Sequence, residues 1–208
     1  MVEGLAPYIV FEGLDGCGKS TQCRLAGEYL TTKNVPFLAV REPGTTPLGS
    51  ALRSLLLDKH MTALSSLEEV LIFSAARAST IREVVLPARR EGKVVLSDRS
   101  WLSTLAYQGG GGGVSTYHIE QLSSLILEQC PITHALIIDV SADVGLSRVG
   151  RGQDKIESRG VEYFERVRGG FRAYATWNPK SSTLIDGSLS VEEVQRAVRN
   201  SIDDILAK

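Results

Sequence analysis

The chain is poor in the features that mark several broad protein classes. Cysteine is scarce, with only Cys17, Cys23 and Cys130 among 208 residues. Three is an odd number and none forms a C-x-x-C pair, so neither a disulfide framework nor a zinc site is indicated. An excess of one charge is also missing: 23 Lys and Arg stand against 24 Asp and Glu, a formal net charge of −1. That balance gives no reason to expect a nucleic-acid polymer or an anionic membrane as partner. No apolar run approaches the roughly 20 residues of a membrane span. The start, Met-Val-Glu-Gly, has no basic region leading into a long apolar core. No signal peptide is read there, and a cytoplasmic location is expected. The rest of the composition, 43% hydrophobic and 23% charged, is that of an ordinary globular protein. The length suits one domain that buries most of its unfolded surface.

What the chain does have begins at Tyr8. The apolar run Tyr8 to Phe11 leads to Gly13, four further residues, and then Gly18-Lys19-Ser20-Thr21. That spacing, G-x-x-x-x-G-K-[ST], is the phosphate-binding loop. Gly13, Gly16 and Gly18 admit backbone conformations that turn successive N–H groups into one concavity, with Leu14, Asp15 and Cys17 between them. A helix starting near Ser20 adds free N–H groups and a positive dipole end. Lys19 then reaches the β- and γ-phosphates, and the Ser20 hydroxyl suits Mg²⁺. The plainer alternative is a glycine-rich strand-to-helix turn with no ligand. The full motif spacing, with an apolar strand before it and a helix-compatible segment after, leads to the reading that the loop binds a nucleoside triphosphate. Cys17 is read as a small filler residue.

Short β-branched runs alternate with longer helix-compatible segments, which predicts an α/β fold with a parallel sheet covered on both faces. Five strands are read at Tyr8–Glu12, Phe37–Arg41, Val94–Ser97, Ala135–Val140 and Thr183–Asp186. Helices are read at Ser20–Thr31, Leu48–Leu57, Ser66–Glu91, Thr116–Glu128, Ala142–Arg148, Val161–Ala175 and Val191–Leu206. The five glycines from Gly109 to Gly113 read as a flexible loop. No linker divides the chain, so a single domain over residues 1–208 is expected.

Further candidates lie at strand ends. Arg41-Glu42-Pro43-Gly44 and the following loop to Arg53 fall at the carboxyl edge of the sheet, where open α/β folds bind ligands. Arg41 and Arg53 face a substrate there, or they simply pair with Glu42 or Asp58. Phe73 and Arg77 share a helical face and could stack on a base and bond its edge; core filler and surface cation are the plainer readings. The strand Val94–Ser97 runs into Asp98, the carboxylate such a loop needs near its metal, and Arg99 could clamp a second phosphate. From Arg148 to Arg172 seven basic residues face four acidic ones. The glycine-flanked part carrying Arg148, Arg151 and Lys155 reads as a lid, about 148–160, over the transferring phosphate. From Arg166 onward the charges read as a solvated helix face.

Together these blocks resemble the thymidylate kinase family of the nucleoside-monophosphate kinases. The matching pieces are Phe11–Gln22, Arg41-Glu42-Pro43-Gly44, Phe73-Ser74-Ala75-Ala76-Arg77, Ser97-Asp98-Arg99 and Ser103–Gly109. The resemblance implies the P-loop fold of nucleoside-monophosphate kinase type, three layers around a five-stranded parallel sheet. It implies ATP- and Mg²⁺-dependent phosphorylation of dTMP to dTDP by a homodimer. Carried over by position, Phe73 stacks on thymine, Arg77 bonds its edge and Arg99 holds the dTMP phosphate. Asp15 lies near the sugar hydroxyl or the metal, and Tyr107, Gln108 and Ser103 line the sugar and base pocket. Gly16 stands where some members carry an arginine, so the catalytic arginine is expected from the lid, from Arg148 or Arg151. The chain departs from the family at Thr45 (usually Gly), Ser50 (acidic), Ser100 (aromatic or His) and Gly112 (often Arg). Another kinase of this fold, a GTPase switch and a non-catalytic nucleotide binder are the alternatives; a switch would carry an Asn-Lys-x-Asp block, and none is present.

Overall fold

The computed structural model describes residues 4–58, 63–149 and 159–207. Five parallel strands form one sheet in the order β2-β3-β1-β4-β5. They are β1 Tyr8–Glu12, β2 Phe37–Arg41, β3 Val94–Asp98, β4 His134–Asp139 and β5 Ser182–Asp186. Every residue of β1 and β3 is buried. Successive strand side chains point to opposite faces, so full burial means that both faces are covered and the molecule is three-layered. This is why β1 reads as an unbroken apolar run up to Glu12 and β3 as one up to Ser97-Asp98.

The helices are α1 Lys19–Thr32, α2 Pro47–Leu57, α3 Ser66–Thr80, α4 Leu86–Arg90, α5 Trp101–Thr104, α6 Thr116–Leu127, α7 Ala142–Val149, α8 Val161–Trp177 and α9 Val191–Leu206. Their starts follow local chemistry. Thr46 caps α2 ahead of Pro47, whose missing N–H costs nothing in a first turn. Ser65 with Glu68, and Ser190 with Glu193, form reciprocal capping boxes on α3 and α9. The expected helix Ser66–Glu91 is interrupted by a wider π-helical turn at Ile81–Val85. Pro87 has no N–H to donate and its ring crowds the carbonyl four residues back, which the wider turn accommodates.

The glycine run corrects the expectation of a flexible loop. Leu105–Gly111 is π-helical and continues directly from α5. It packs along α8. A Cβ on Gly111 would lie 2.5 Å from Tyr163 Cε2 and 2.8 Å from Val167 Cγ2. A Cβ on Gly170 of α8 would lie 3.1 Å from Ala106 Cα. Glycine here serves close helix contact, and tertiary packing outweighs its poor helical propensity. The charge pattern of α8 also departs from a solvated face. Arg168 donates to both oxygens of Asp139 at 2.8 and 2.9 Å, and Arg172 donates to Oδ2 at 2.7 Å.

At the carboxyl edge the register sets Phe11 and Arg41 opposite Asp98, one on each side. The edge therefore collects Glu12, Arg41 and Asp98 beside the loop that follows β1.

Candidate active site

The loop after β1 makes a tight cradle. Gly13, Gly16 and Gly18 have φ of 138°, 76° and 96°, conformations closed to most other residues. A Cβ at Gly13 would sit 2.3 Å from the Ile138 carbonyl oxygen, and one at Gly16 would sit 2.1 Å from that of Gly145. Gly18 is the left-handed N-cap of α1, so Lys19, Ser20 and Thr21 form the first turn, with Ser20 and Thr21 exposed. The buried Lys19 ammonium donates to the Leu14 carbonyl at 3.1 Å and reaches Asp15 Oδ1 at 3.4 Å. Cys17 is buried within the loop. The expected set Gly13 to Thr21 thus forms one continuous turn leading into α1, a geometry suited to an anion.

The expected metal residues meet. Ser20 Oγ donates to Asp98 Oδ2 at 2.5 Å. Asp98 Oδ1 is buried and has no hydrogen-bond partner. A hydroxyl and a carboxylate with spare acceptor capacity are hard oxygen donors, the set that suits Mg²⁺ rather than a softer ion. Arg148, at the end of α7, donates to the carbonyls of Gly187 at 3.3 Å and Gly16 at 3.5 Å. It therefore lies against the cradle. Arg151 and Lys155 lie outside the described residues.

Beyond Asp15 opens a cavity of about 200 Å³. All eight residues expected to bind the acceptor line it: Arg41, Arg53, Phe73, Arg77, Arg99, Ser103, Tyr107 and Gln108. Phe73 is half-buried at its wall, so it is not core filler. Arg77 is no surface cation: it is 3% exposed, and its Nε donates to Glu42 Oε2 at 2.7 Å. Its Nη2 donates to Thr104 Oγ1 at 3.2 Å, while Nη1 is buried without a partner. Glu42 thereby pairs with Arg77, which leaves Arg41 to approach Asp98 at 3.9 Å and Arg53 to donate to the Pro43 carbonyl at 3.2 Å.

Arg99 is held at the junction of cradle and cavity. Its φ of 76° is unusual for a residue with a Cβ, a local strain typical of functional positions. Its guanidinium donates to Asp15 Oδ1 and, at 2.9 Å, to Ser103 Oγ. The Tyr107 hydroxyl donates to Asp15 Oδ2 at 2.8 Å. Burial alone would raise the Asp15 carboxyl, but Arg99, Lys19 and the Tyr107 hydroxyl outweigh it and hold it well below the usual carboxylate range.

Several residues went unassigned in the sequence. Glu12, fully buried at the end of β1, accepts from Ser103 Oγ at 2.6 Å and from Ser100 Oγ at 2.7 Å. Burial pushes its carboxyl up, and these hydroxyls pull it back. A charged residue ending an otherwise apolar strand was the available signal. Glu42 stood inside a quoted motif without a role, and its pairing with Arg77 spans 35 positions. Three of the four departures from the family pattern make hydrogen bonds: Thr45 Oγ1 to the Arg41 carbonyl at 2.7 Å, Ser50 Oγ to the Gly44 carbonyl at 2.9 Å, and Ser100 Oγ to the distant Glu12 at 2.7 Å. At Gly112 a Cβ would meet Ser66 Oγ at 2.4 Å.

A nucleotide-phosphate cradle and an arginine-lined cavity, meeting at Asp15 and Arg99, give the layout of a P-loop nucleoside-monophosphate kinase. The family model for thymidylate kinase matches residues 11–198. The thymidylate kinase of Symbiobacterium thermophilum is 38% identical over 205 residues, covering 98% of this chain and 96% of its own length. That of Kosmotoga olearia is 39% identical over 193 residues, 92% of each chain. The crystal structure of thymidylate kinase from Ehrlichia chaffeensis superposes with a TM-score of 0.76 at 33% identity, covering 95% of this chain and 98% of that one. The chain belongs to the thymidylate kinase family, and it is an ATP-dependent phosphotransferase.

Proposed function

We propose that this protein transfers the γ-phosphate of ATP to dTMP, giving dTDP and ADP, with Mg²⁺ as its metal. The observation that carries the acceptor assignment is the buried Arg77, with an unpartnered Nη1, facing the same cavity as Phe73 and Arg99. An aromatic ring, a hydrogen-bond donor and a phosphate clamp in a space of this size suit one pyrimidine nucleotide.

Phosphoryl transfer asks for in-line positioning and neutralised charge more than covalent chemistry. Lys19 and the cradle N–H groups hold the donor phosphates, with Arg148 at the cradle's edge. Arg99 holds the acceptor phosphate, aimed by Asp15 and Ser103. The attacking oxygen is already anionic, so no general base is required. Ser20 and Asp98 would hold Mg²⁺, which when bound neutralises charge on the donor phosphates. We assign Arg148 and Arg151 to the lid arginine role, and read the chain as one kinase domain with a basic lid at about 148–160.

We further propose a homodimer in the cytoplasm. On α3, Leu67 and Leu71 are exposed one turn apart, and on the adjoining α6 Tyr117 and Leu125 are exposed on one face. Such an apolar patch favours a second copy. The three buried free thiols suit a reducing compartment, and no helix among the described residues is long and apolar enough to cross a membrane.

The deciding assay is ADP release with ATP and Mg²⁺ against dTMP, dUMP, dCMP, dGMP and AMP in parallel. Strongest turnover with dTMP and weaker turnover with dUMP is the expected result. Preference for another acceptor would keep the reaction class and discard the base-pocket assignment.

A further inference from the structure

We infer that Arg159 is a positioning residue for the acceptor site, fixing Tyr107 and Gln108 through two separate links. The inference rests on the assignment of the cavity to dTMP. Arg159 lies just after the basic segment and immediately before Gly160, whose φ is 84°, and α8. It is not among the residues that line the cavity.

The first link runs through Glu69. This α3 carboxylate is 5% exposed, and a charge so buried needs both a counter-ion and filled hydrogen bonds. Its two oxygens divide the work. Oε1 takes the Arg159 guanidinium at 2.5 Å, and Oε2 accepts from Gln108 Nε2 at 3.0 Å. A Gln amide whose NH₂ end is committed to a carboxylate has its carbonyl end oriented as well. Gln108, 1% exposed and in the cavity wall, is therefore set by a carboxylate that Arg159 holds.

The second link runs through Tyr163 on α8. Arg159 Nη1 donates to the Tyr163 hydroxyl at 3.0 Å, and that hydroxyl donates to the Tyr107 carbonyl at 2.9 Å. The Tyr107 side chain in turn donates to Asp15, the partner of Arg99. One guanidinium thus braces two neighbouring wall residues, one through its side chain and the other through its backbone. Two different nitrogens of the planar guanidinium reach these two partners; the compact ammonium of lysine, although it carries three donors, lacks that fixed spread.

Steady-state kinetics on the whole chain test this, with dTMP varied at saturating ATP and the reverse. Arg159→Ala is expected to raise the KM for dTMP on the order of tenfold, with the KM for ATP held within about twofold and kcat changed less than the KM for dTMP. Arg159→Lys keeps a cation at Glu69 and loses the fork, so its KM for dTMP falls between the two. Adding Glu69→Gln to Arg159→Ala removes the stranded carboxylate and recovers part of the loss. An unchanged KM for dTMP in folded Arg159→Ala overturns the proposal. So does a fall confined to kcat, which would mark Arg159 as a lid residue acting on the transferring group. If the alanine variant does not fold, Arg159→Lys decides: a KM for dTMP equal to wild type defeats the idea. Wild-type protein inactive toward dTMP would bring down the cavity assignment itself, a result separable from any behaviour of the variants.

Discussion

Arg77 Nε lies 2.7 Å from Glu42 Oε2, and both side chains are 3% exposed. This pair ties α3, which carries Phe73, to the loop after β2. Its geometry leaves Arg77 Nη1 buried without a partner, in a residue that lines the cavity. Breaking one partner of a buried ion pair strands the other charge, at a cost of about 3–5 kcal/mol. Glu42→Ala is therefore expected to lower the unfolding free energy in urea by that scale and to raise the KM for dTMP, because Arg77 is no longer aimed. A Glu42→Ala protein with wild-type stability would show that the pair is not structural.

Phe73 stands half-buried in the cavity wall, where a base would stack on it. Base–aromatic stacking contributes about 1–3 kcal/mol per base. Phe73→Ala should raise the KM for dTMP by roughly 10- to 100-fold with little change for ATP. Parallel changes in both constants would place Phe73 outside base recognition.

The strands and the cradle were legible because their signals are local. An apolar run followed by three glycines and Lys19 dictates strand, turn and helix within 14 residues. Seven of the eight residues expected at the acceptor fall in short motifs and Arg53 lies beyond the loop that follows one of them; the fold brings all eight to one cavity. What stayed hidden depends on distant partners. Glu42 meets Arg77 across 35 positions, Glu69 meets Arg159 across 90, and Arg168 reaches Asp139 across 29. A charge run cannot show which of its members will find a buried carboxylate. The glycine run misled for the same reason, since glycine marks either freedom or close approach, and only α8 decides between them.

That choice is open to measurement at Gly111. A Cβ there would collide with Tyr163 and Val167, and overpacking costs about 1–3 kcal/mol. Gly111→Ala should lose stability of that order by thermal or urea unfolding. In a free loop the same change would be neutral or slightly stabilising.

The cysteines should be silent in the native state. All three are buried and free. Burial pushes the Cys23 thiol up to about 12, with nearby Asp98 adding to the effect, and burial raises Cys17 and Cys130 as well. Thiolate is the reactive form. Titration with a chromogenic disulfide at pH 8 should therefore detect almost no thiol until denaturant is added, and then all three. Rapid reaction of one thiol in native protein would mean that the packing around that cysteine opens in solution.

Asp15 gives the sharpest pH test, because its partners hold it ionised throughout the working range. A carboxyl depressed in the folded state stabilises the fold at pH values above its ordinary value of about 4, and that contribution is lost as pH falls below this through the folded value. Asp15→Asn should thus be less stable than wild type at pH 7, the gap closing only in strong acid. The kinetic consequence is separate. With Asp15 already charged, the acid limb of kcat/KM for dTMP belongs to the second ionisation of the acceptor phosphate, near pH 6 as for other phosphate monoesters. Asp15→Asn should lower the plateau by about 10²-fold through loss of Arg99 alignment and leave the limb in place. A limb that shifts or vanishes in the variant would make Asp15 itself the titrating group, and the ion cluster of Arg99, Lys19 and Tyr107 would then be looser than its geometry shows.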